Sequence, residues 1–333
     1  MRRFFLIVII IVIIAVGIWL GYLAWKSFSG AETIIEEEGW AVTENKEIIK
    51  SDNPLKQITN TSIANFWVNA SSNQIFLINY NGKIEKLENL KTKTTASDNG
   101  LKNISQVMPS PDGSKVLINL TIFDGITNIW TPLPAGTTAA VWSPSANLGQ
   151  VPTIAYLTND GLYNLKDGKT SLIFKLNNRD LQITWPVANE IYLTEKPTEA
   201  YNAASWKFNI KDKTLTRGVF DRFWEKLINL QYLTPGRDFN ILPPKCLVVE
   251  KGFYCAIPNN SEVTLNNYLK RKVYTNDDIY FVSVDIEKKK AQAKLLLGAS
   301  ETNPIDAINL SLYKDKLLFI NRYDQRLYSL ETK

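Results

Sequence analysis

The chain has 333 residues, 45% of them hydrophobic and 11% aromatic, and a net charge of +5. That is room for two average domains or one large all-β domain, with ample apolar material for a core. There is no histidine and there are two cysteines. This excludes Ser-His-Asp and Cys-His nucleophiles, His-bearing zinc or haem sites and four-thiolate metal centres, while carboxylate-pair catalysis stays open. The positive charge is spread over Lys-rich turns rather than gathered on a basic face with aromatics. It reads as a solvated surface, and nucleic acid is not an expected partner.

Phe4 to Leu23 is an uncharged apolar run, with Trp19, Tyr22 and Trp25 at its C-terminal end. About twenty such residues at about 1.5 Å rise span a hydrocarbon core, and interfacial aromatics mark the exit. Arg2 and Arg3 precede the run, while Glu36-Glu37-Glu38 follow soon after it. The positive-inside bias then puts the N-terminus in the cytoplasm and the rest of the chain outside. A cleaved signal peptide is the rival, with Ser27-Phe28-Ser29 as a loose cleavage site. The run exceeds the usual apolar region of such peptides, which favours an uncleaved anchor over residues 1–25 in contact with membrane lipid. Residues 26–53 read as an extracytoplasmic, Glu-rich linker.

From residue 54 a unit of roughly 35–46 residues recurs, the period of a propeller blade. Each copy opens with an apolar strand, turns, and enters a second apolar strand. The clearest is Val107-Met108-Pro109, the turn Ser110-Pro111-Asp112-Gly113, then Val116-Leu117-Ile118. Proline presets φ, Asp bonds the local backbone and Gly takes φ > 0. Other openings fall near residues 65, 139, 183, 230, 246 and 308. A third strand follows in most copies, as in Gly161-Leu162-Tyr163-Asn164-Leu165, and then an outer one. The final copy ends at Arg326-Leu327-Tyr328-Ser329-Leu330 with no room for an outer strand. Residues 54–59 resemble an outer strand with nothing before it. The pattern predicts an all-β propeller over 54–333, closed when 54–59 completes the last blade. Seven blades with a stunted fifth at Leu230–Arg237 is the favoured count, and six is the alternative. Arg222–Ile228 also reads as a helical turn.

The stretch Ser110-Pro111-Asp112-Gly113-Ser114-Lys115-Val116-Leu117-Ile118 resembles the Ser-Pro-Asp-Gly motif of the WD40-like (PD40) repeats in TolB-type propellers. Ser143-Pro144-Ser145 and Thr234-Pro235-Gly236 match in part. Leu242-Pro243-Pro244-Lys245-Cys246 with Phe253-Tyr254-Cys255 resembles a segment of membrane-anchored propeller proteins of bacteria with small genomes. The resemblance spans about residues 54–333 and implies a fold; propellers host many roles.

Cys246 and Cys255 flank a short turn and face each other across a predicted hairpin. A disulfide is expected there, with two buried thiols as the alternative. Asp112, Asp160, Asp167 and Asp315 read as turn formers, and Asp277-Asp278 as an exposed strand entry. Trp67, Trp142, Trp185 and Trp206 sit at equivalent repeat positions. They read as core between blades or, more sharply, as aromatics on a binding face. Lys270-Arg271-Lys272 and Lys288-Lys289-Lys290 read as solvated turns, or as contacts to anionic lipid or cell-wall polymer. No phosphate loop or clustered oxygen-ligand motif is present, so neither cofactor nor metal is expected. The expected function is a non-catalytic, membrane-anchored scaffold binding a protein or an envelope polymer. The alternative is a carboxylate-dependent glycosidase or lyase, or a propeller serving a separate peptidase.

Overall fold

The computed structural model describes residues 54–70, 72–144, 152–177, 180–195, 205–217, 241–250, 252–259, 263–264, 267–268, 270–285, 290–299 and 303–332. The apolar segment 4–23, the linker 26–53, Arg222–Ile228 and the unit at Leu230–Arg237 lie outside the described residues. Among the described residues, no helix is long and apolar enough to cross a membrane.

The described residues are built almost wholly of strands. After β1 (Leu55–Gln57), the first sheet holds β2 (Asn65–Asn69), β3 (Gln74–Ile78), β4 (Ile84–Glu88) and β5 (Thr92–Ser97). The second holds β6 (Val107–Pro109), β7 (Lys115–Ile118), β8 (Thr121–Asp124) and β9 (Ile129–Pro132). The third holds β10 (Ala139–Trp142), β11 (Ile154–Leu157), β12 (Gly161–Lys166) and β13 (Lys169–Lys175). The fourth holds β14 (Leu181–Val187), β15 (Glu190–Glu195), β16 (Ser205–Asn209) and β17 (Thr214–Arg217). The fifth holds β18 (Cys246–Val249), β19 (Gly252–Pro258), β20 (Asp277–Asp285) and β21 (Lys290–Leu297). The last holds β22 (Ala307–Tyr313), β23 (Lys316–Asn321) and β24 (Arg326–Glu331), with β1 as its fourth strand.

Each sheet is an antiparallel meander. The last is completed from the far end of the domain, where Leu55 pairs with Leu330 and Gln57 with Tyr328. The buried Thr59 hydroxyl then accepts a bond from the Leu327 amide at 3.0 Å. This pairing leaves β24 without a free edge.

The second strand of each sheet carries a continuous apolar run, and in several sheets both of its faces are covered. Side chains alternate across a strand. Ile75 and Leu77 therefore pack with Leu318, Ile320 and Leu327 of the last sheet. Phe76 and Ile78, on the opposite face, pack with Val116, Ile118 and Phe123 of the second. Leu117 turns to the third sheet, with Ala140, Ile154 and Tyr156. Ala155 and Leu157 turn to the fourth, with Ile183, Leu193 and Phe208. Ala256 and Ile279 of the fifth sheet meet Ala307, Leu317 and Phe319 of the last. Shared cores run from the first sheet to the fourth and from the fifth through the last back to the first, and with a strand from the other terminus this is the β-propeller arrangement. The described residues hold six such sheets.

Many turns use short polar residues in the left-handed region, among them Asn73 (φ 51°), Asn119 (φ 52°) and Asn128 (φ 58°). Asparagine tolerates that region because its side chain bonds locally. The Asn119 carboxamide also accepts bonds from the Ser105 and Gln106 amides at 3.0 and 3.2 Å.

Candidate functional site

In an antiparallel meander, the entry to the first strand and the turn between the second and third lie at the same end of the sheet. Loops of this kind gather on one side of the domain. Tyr80, in the 79–83 turn of the first sheet, donates its hydroxyl to Gln325 in the 322–325 turn of the last at 2.9 Å. The longest of these second-to-third-strand connections belongs to the fifth sheet. In the fifth sheet residues 259–276 stand between β19 and β20. Val263 and Tyr268 of this insertion pack on Leu242, with Val273 and Ile308 against them.

Beneath the insertion lies a buried charge cluster. Lys245 ends a short 3-10 turn, Pro243–Lys245, whose last amide bonds Leu242 at 2.8 Å. The turn points its ammonium inward, where it is 0% exposed. The ammonium lies 2.7 Å from the Asp277 carboxylate and 2.6 Å from that of Asp306. It donates to the Thr275 hydroxyl at 2.9 Å and sits 4.8 Å from the centre of the Tyr268 ring. Asp306 also takes Arg322 at 3.2 Å and the Thr275 amide at 3.1 Å. Asp277 accepts the Ala307 amide at 2.7 Å. Two cations and two carboxylates leave the cluster without net charge. Burial disfavours the Lys245 ammonium, but Asp277, the Tyr268 ring and Asp306 outweigh it and hold its pKa above the usual lysine range. Burial pushes the Asp277 carboxyl up against the pull of Lys245.

Arg322 carries this cluster to the surface. Its guanidinium donates to the Val273 carbonyl at 3.2 Å and lies 5.0 Å from the Tyr268 ring centre and 4.5 Å from that of Tyr274. Tyr274 in turn stacks on Tyr323, with centroids 5.1 Å apart and planes 27° from parallel. The two rings are 52% and 49% exposed. An exposed aromatic pair pinned by a guanidinium fixed from below is a preorganised contact surface.

The sequence reading placed Asp277 at an exposed strand entry, and the structure corrects this: Asp277 is 0% exposed. Its neighbour Asp278 is half-buried and accepts the Ala299 amide at 2.6 Å. A partner for Asp277 was not legible, since Lys245 and Asp306 are remote in sequence. A lysine followed at once by an apolar strand was the available signal.

The four tryptophans are not gathered into one face. Trp67 and Trp142 are 2% and 6% exposed, which takes both off any binding face. Trp67 stacks on Phe76 at 5.0 Å, and the Trp142 indole donates to the Met108 carbonyl at 2.9 Å. Trp185 and Trp206 are half-buried against the core of the third and fourth sheets.

Cys246 and Cys255 are directly paired in register and joined by a disulfide, with Cα atoms 4.1 Å apart. In the turn at Ser110-Pro111-Asp112-Gly113, the Ser110 hydroxyl donates to Asp112 at 2.6 Å and the Ser114 hydroxyl at 2.7 Å. Burial works against the charge on Asp112, yet these hydroxyls and the Ser114 amide bring its carboxyl below the usual range. Asp160 likewise accepts the Thr158 and Tyr163 hydroxyls within its own turn, and Asp167 occupies a turn at φ 51°. The Asp315 backbone carbonyl holds the Thr332 hydroxyl at 2.7 Å. A groove of about 500 Å³ between the second and third sheets is lined by Trp142, Pro132, Pro134 and a Lys115–Asp124 pair.

No protein-family model and no curated protein matches the chain. Several solved structures align with most of the chain. The WD40 repeats of RRP9 are 10% identical over 83% of this chain and 97% of that one, with a TM-score of 0.42. The β-propeller domain of Cps50 (Swd1) from Myceliophteria thermophila is 10% identical over 84% and 100%, with a TM-score of 0.39. That of the Trilobed protease from Pyrococcus furiosus is 11% identical over 82% and 82%, with a TM-score of 0.35. Their roles do not carry over at this level, and the propeller assignment rests on the sheets and their packing.

Proposed function

We propose that the chain is a membrane-anchored binding scaffold of the TolB-like propeller type. Segment 4–23 holds it in the membrane, and its propeller works outside the cytoplasm. Its task is to engage a protein or an envelope polymer through the loops around Tyr274, Arg322 and Tyr323. The observation that carries this reading is the exposed Tyr274–Tyr323 stack held by Arg322, whose guanidinium pairs with the buried Asp306. A surface held that rigidly loses little freedom on binding. The Cys246–Cys255 disulfide supports an oxidising compartment.

The catalytic alternative gains no support from the carboxylates of this face. Glycosidase chemistry needs two of them about 5–10 Å apart and open to substrate. Asp277 and Asp306 share one ammonium and are both 0% exposed.

A photo-crosslinking amino acid in place of Tyr323, in the full chain in its native membrane, tests the proposal. Tyr323 substitution is expected to give a discrete crosslinked product, and the same probe at Asp167 is expected to give none. Equal products at both positions, or none at Tyr323, would overturn it.

A further inference from the structure

We infer that Lys245 and Asp277 become joined by an isopeptide bond, which the folded chain forms by itself. The inference is independent of the scaffold reading and concerns the ion cluster beneath the 259–276 insertion.

Amide formation needs an amine, a carboxyl and a group to move protons, and the cluster supplies all three in one dry place. Lys245 Nζ lies 2.7 Å from Oδ2 of Asp277 and 2.6 Å from Oδ1 of Asp306, and all three residues are 0% exposed. A nitrogen hydrogen-bonded to a carboxyl oxygen stands about 3.5 Å from the carboxyl carbon, the separation of a near-attack conformer. Fixing the pair there makes the encounter intramolecular, worth roughly 10⁵–10⁸ M of reactant when the groups are aligned.

The two carboxylates are not equivalent. Asp277 Oδ2 accepts the Ala307 amide at 2.7 Å, a donor placed to stabilise the oxyanion of a tetrahedral intermediate. Asp277 Oδ1 is buried with no hydrogen-bond partner among the described residues, which leaves it free to depart. Asp306 Oδ2 is held by Arg322 at 3.2 Å and by the Thr275 amide at 3.1 Å. Asp306 is thereby kept as the anionic base, and Asp277 is the carboxyl that reacts.

The step balances without a co-reactant. One ammonium proton passes to Asp277 along their hydrogen bond, leaving an amine and a carboxylic acid. Burial of Asp277 favours its neutral form. Burial also works against the Lys245 ammonium, but Asp277, the Tyr268 ring and Asp306 hold it charged, so this transfer sets the rate. Nζ then attacks Cγ of Asp277. Asp306 takes a second proton from the nitrogen and delivers it to Oδ1. The Cγ–Oδ1 bond breaks, and Oδ1 leaves as water with both protons. One ammonium and one carboxylate become one amide, which removes two ions whose burial is costly. The charges that remain, Asp306 and Arg322, are already paired. The product ties the entry of β18 to the start of β20. It encloses the insertion in a covalent loop that reductant does not open.

The test is a peptide map of the full chain, purified in detergent, reduced, digested and read by tandem mass spectrometry. A branched peptide joining Lys245 to Asp277, lighter than its two components by one water, is expected from most of the protein. On a reducing, denaturing gel the chain should run ahead of K245R, which keeps a cation and lacks the amine. D306N keeps both bonding partners, and in freshly synthesised chain it should form the link at least tenfold more slowly. Recovery of Lys245 and Asp277 only in separate, unmodified peptides overturns the inference. So does a branch from Lys245 to any other carboxyl, Asp306 included. An unchanged rate in D306N overturns the role given to Asp306. The map of the unaltered chain decides the bond even where a variant fails to fold.

Discussion

Two corners of the molecule join one sheet to the next by opposite means. At Ser110-Pro111-Asp112-Gly113 the second sheet meets the first. The carbonyl of Asp112 accepts the Ala70 amide at 3.2 Å, and a Cβ on Gly113 would lie 2.0 Å from the Val68 carbonyl oxygen. The carboxylate of Asp112 is satisfied within its own turn, by the Ser110 and Ser114 hydroxyls and the Ser114 amide. At Lys245 the fifth sheet meets the last, and the polar groups come from four separate stretches of chain. The first corner is set by local conformational preference, and the second by charges that meet only after the sheets stack. A repeat can keep the first kind in several copies, whereas the second is a single construction. It is also the one that reaches the surface at Arg322 and the tyrosine pair.

Breaking each corner sharpens that contrast. Replacing Lys245 by Met leaves two buried carboxylates facing one arginine. A cost of about 3–5 kcal/mol is expected in denaturant unfolding, as for other broken buried pairs. A cost below about 1 kcal/mol would mean that the cluster is wet rather than buried. Gly113→Ala tests the local corner. It places a side chain at φ 71° and against the first sheet's backbone. About 2–4 kcal/mol is expected from the two effects together, read as a fall in midpoint denaturant with an unchanged slope.

The disulfide adds a staple to the sheet that carries Lys245. Its ring is short, so replacing both cysteines with Ser should cost at most about 2.5 kcal/mol. Maleimide labelling of the unreduced, unfolded chain should find no free thiol, and full labelling without reductant would remove both the bridge and the support it gives to the proposed compartment. The smallest effect belongs to Asp112→Asn, at about 1 kcal/mol near neutral pH. The Asp112 pKa is lowered in the folded state. Its contribution is therefore present above the ordinary carboxylate pKa of about 3.9 and is lost as pH falls through the lower folded value. Acid titration of the variant should accordingly show a shallower loss of stability below about pH 4. An unchanged acid slope would show that the turn's hydroxyls do not hold the charge.

The amino-acid sequence by itself determined the strand pattern, the closing pairing of the two ends and the facing cysteines. The strand pattern and the facing cysteines follow from period-two apolar alternation, turn residues with fixed φ demands and register across a two-residue turn, all short-range, and the closing pairing follows from the strand count, which leaves the last copy one strand short and residues 54–59 spare. It did not determine which aromatics stay outside. Trp67 and Trp142 are covered by neighbouring sheets, while Tyr274 and Tyr323 stand half in solvent. Nor did it determine the fate of Asp277, which reads alone as a surface residue. A buried carboxylate is tolerable only if a cation is delivered to it. Whether Lys245 arrives within 2.7 Å depends on how the fifth and last sheets stack, which is a property of the assembled fold.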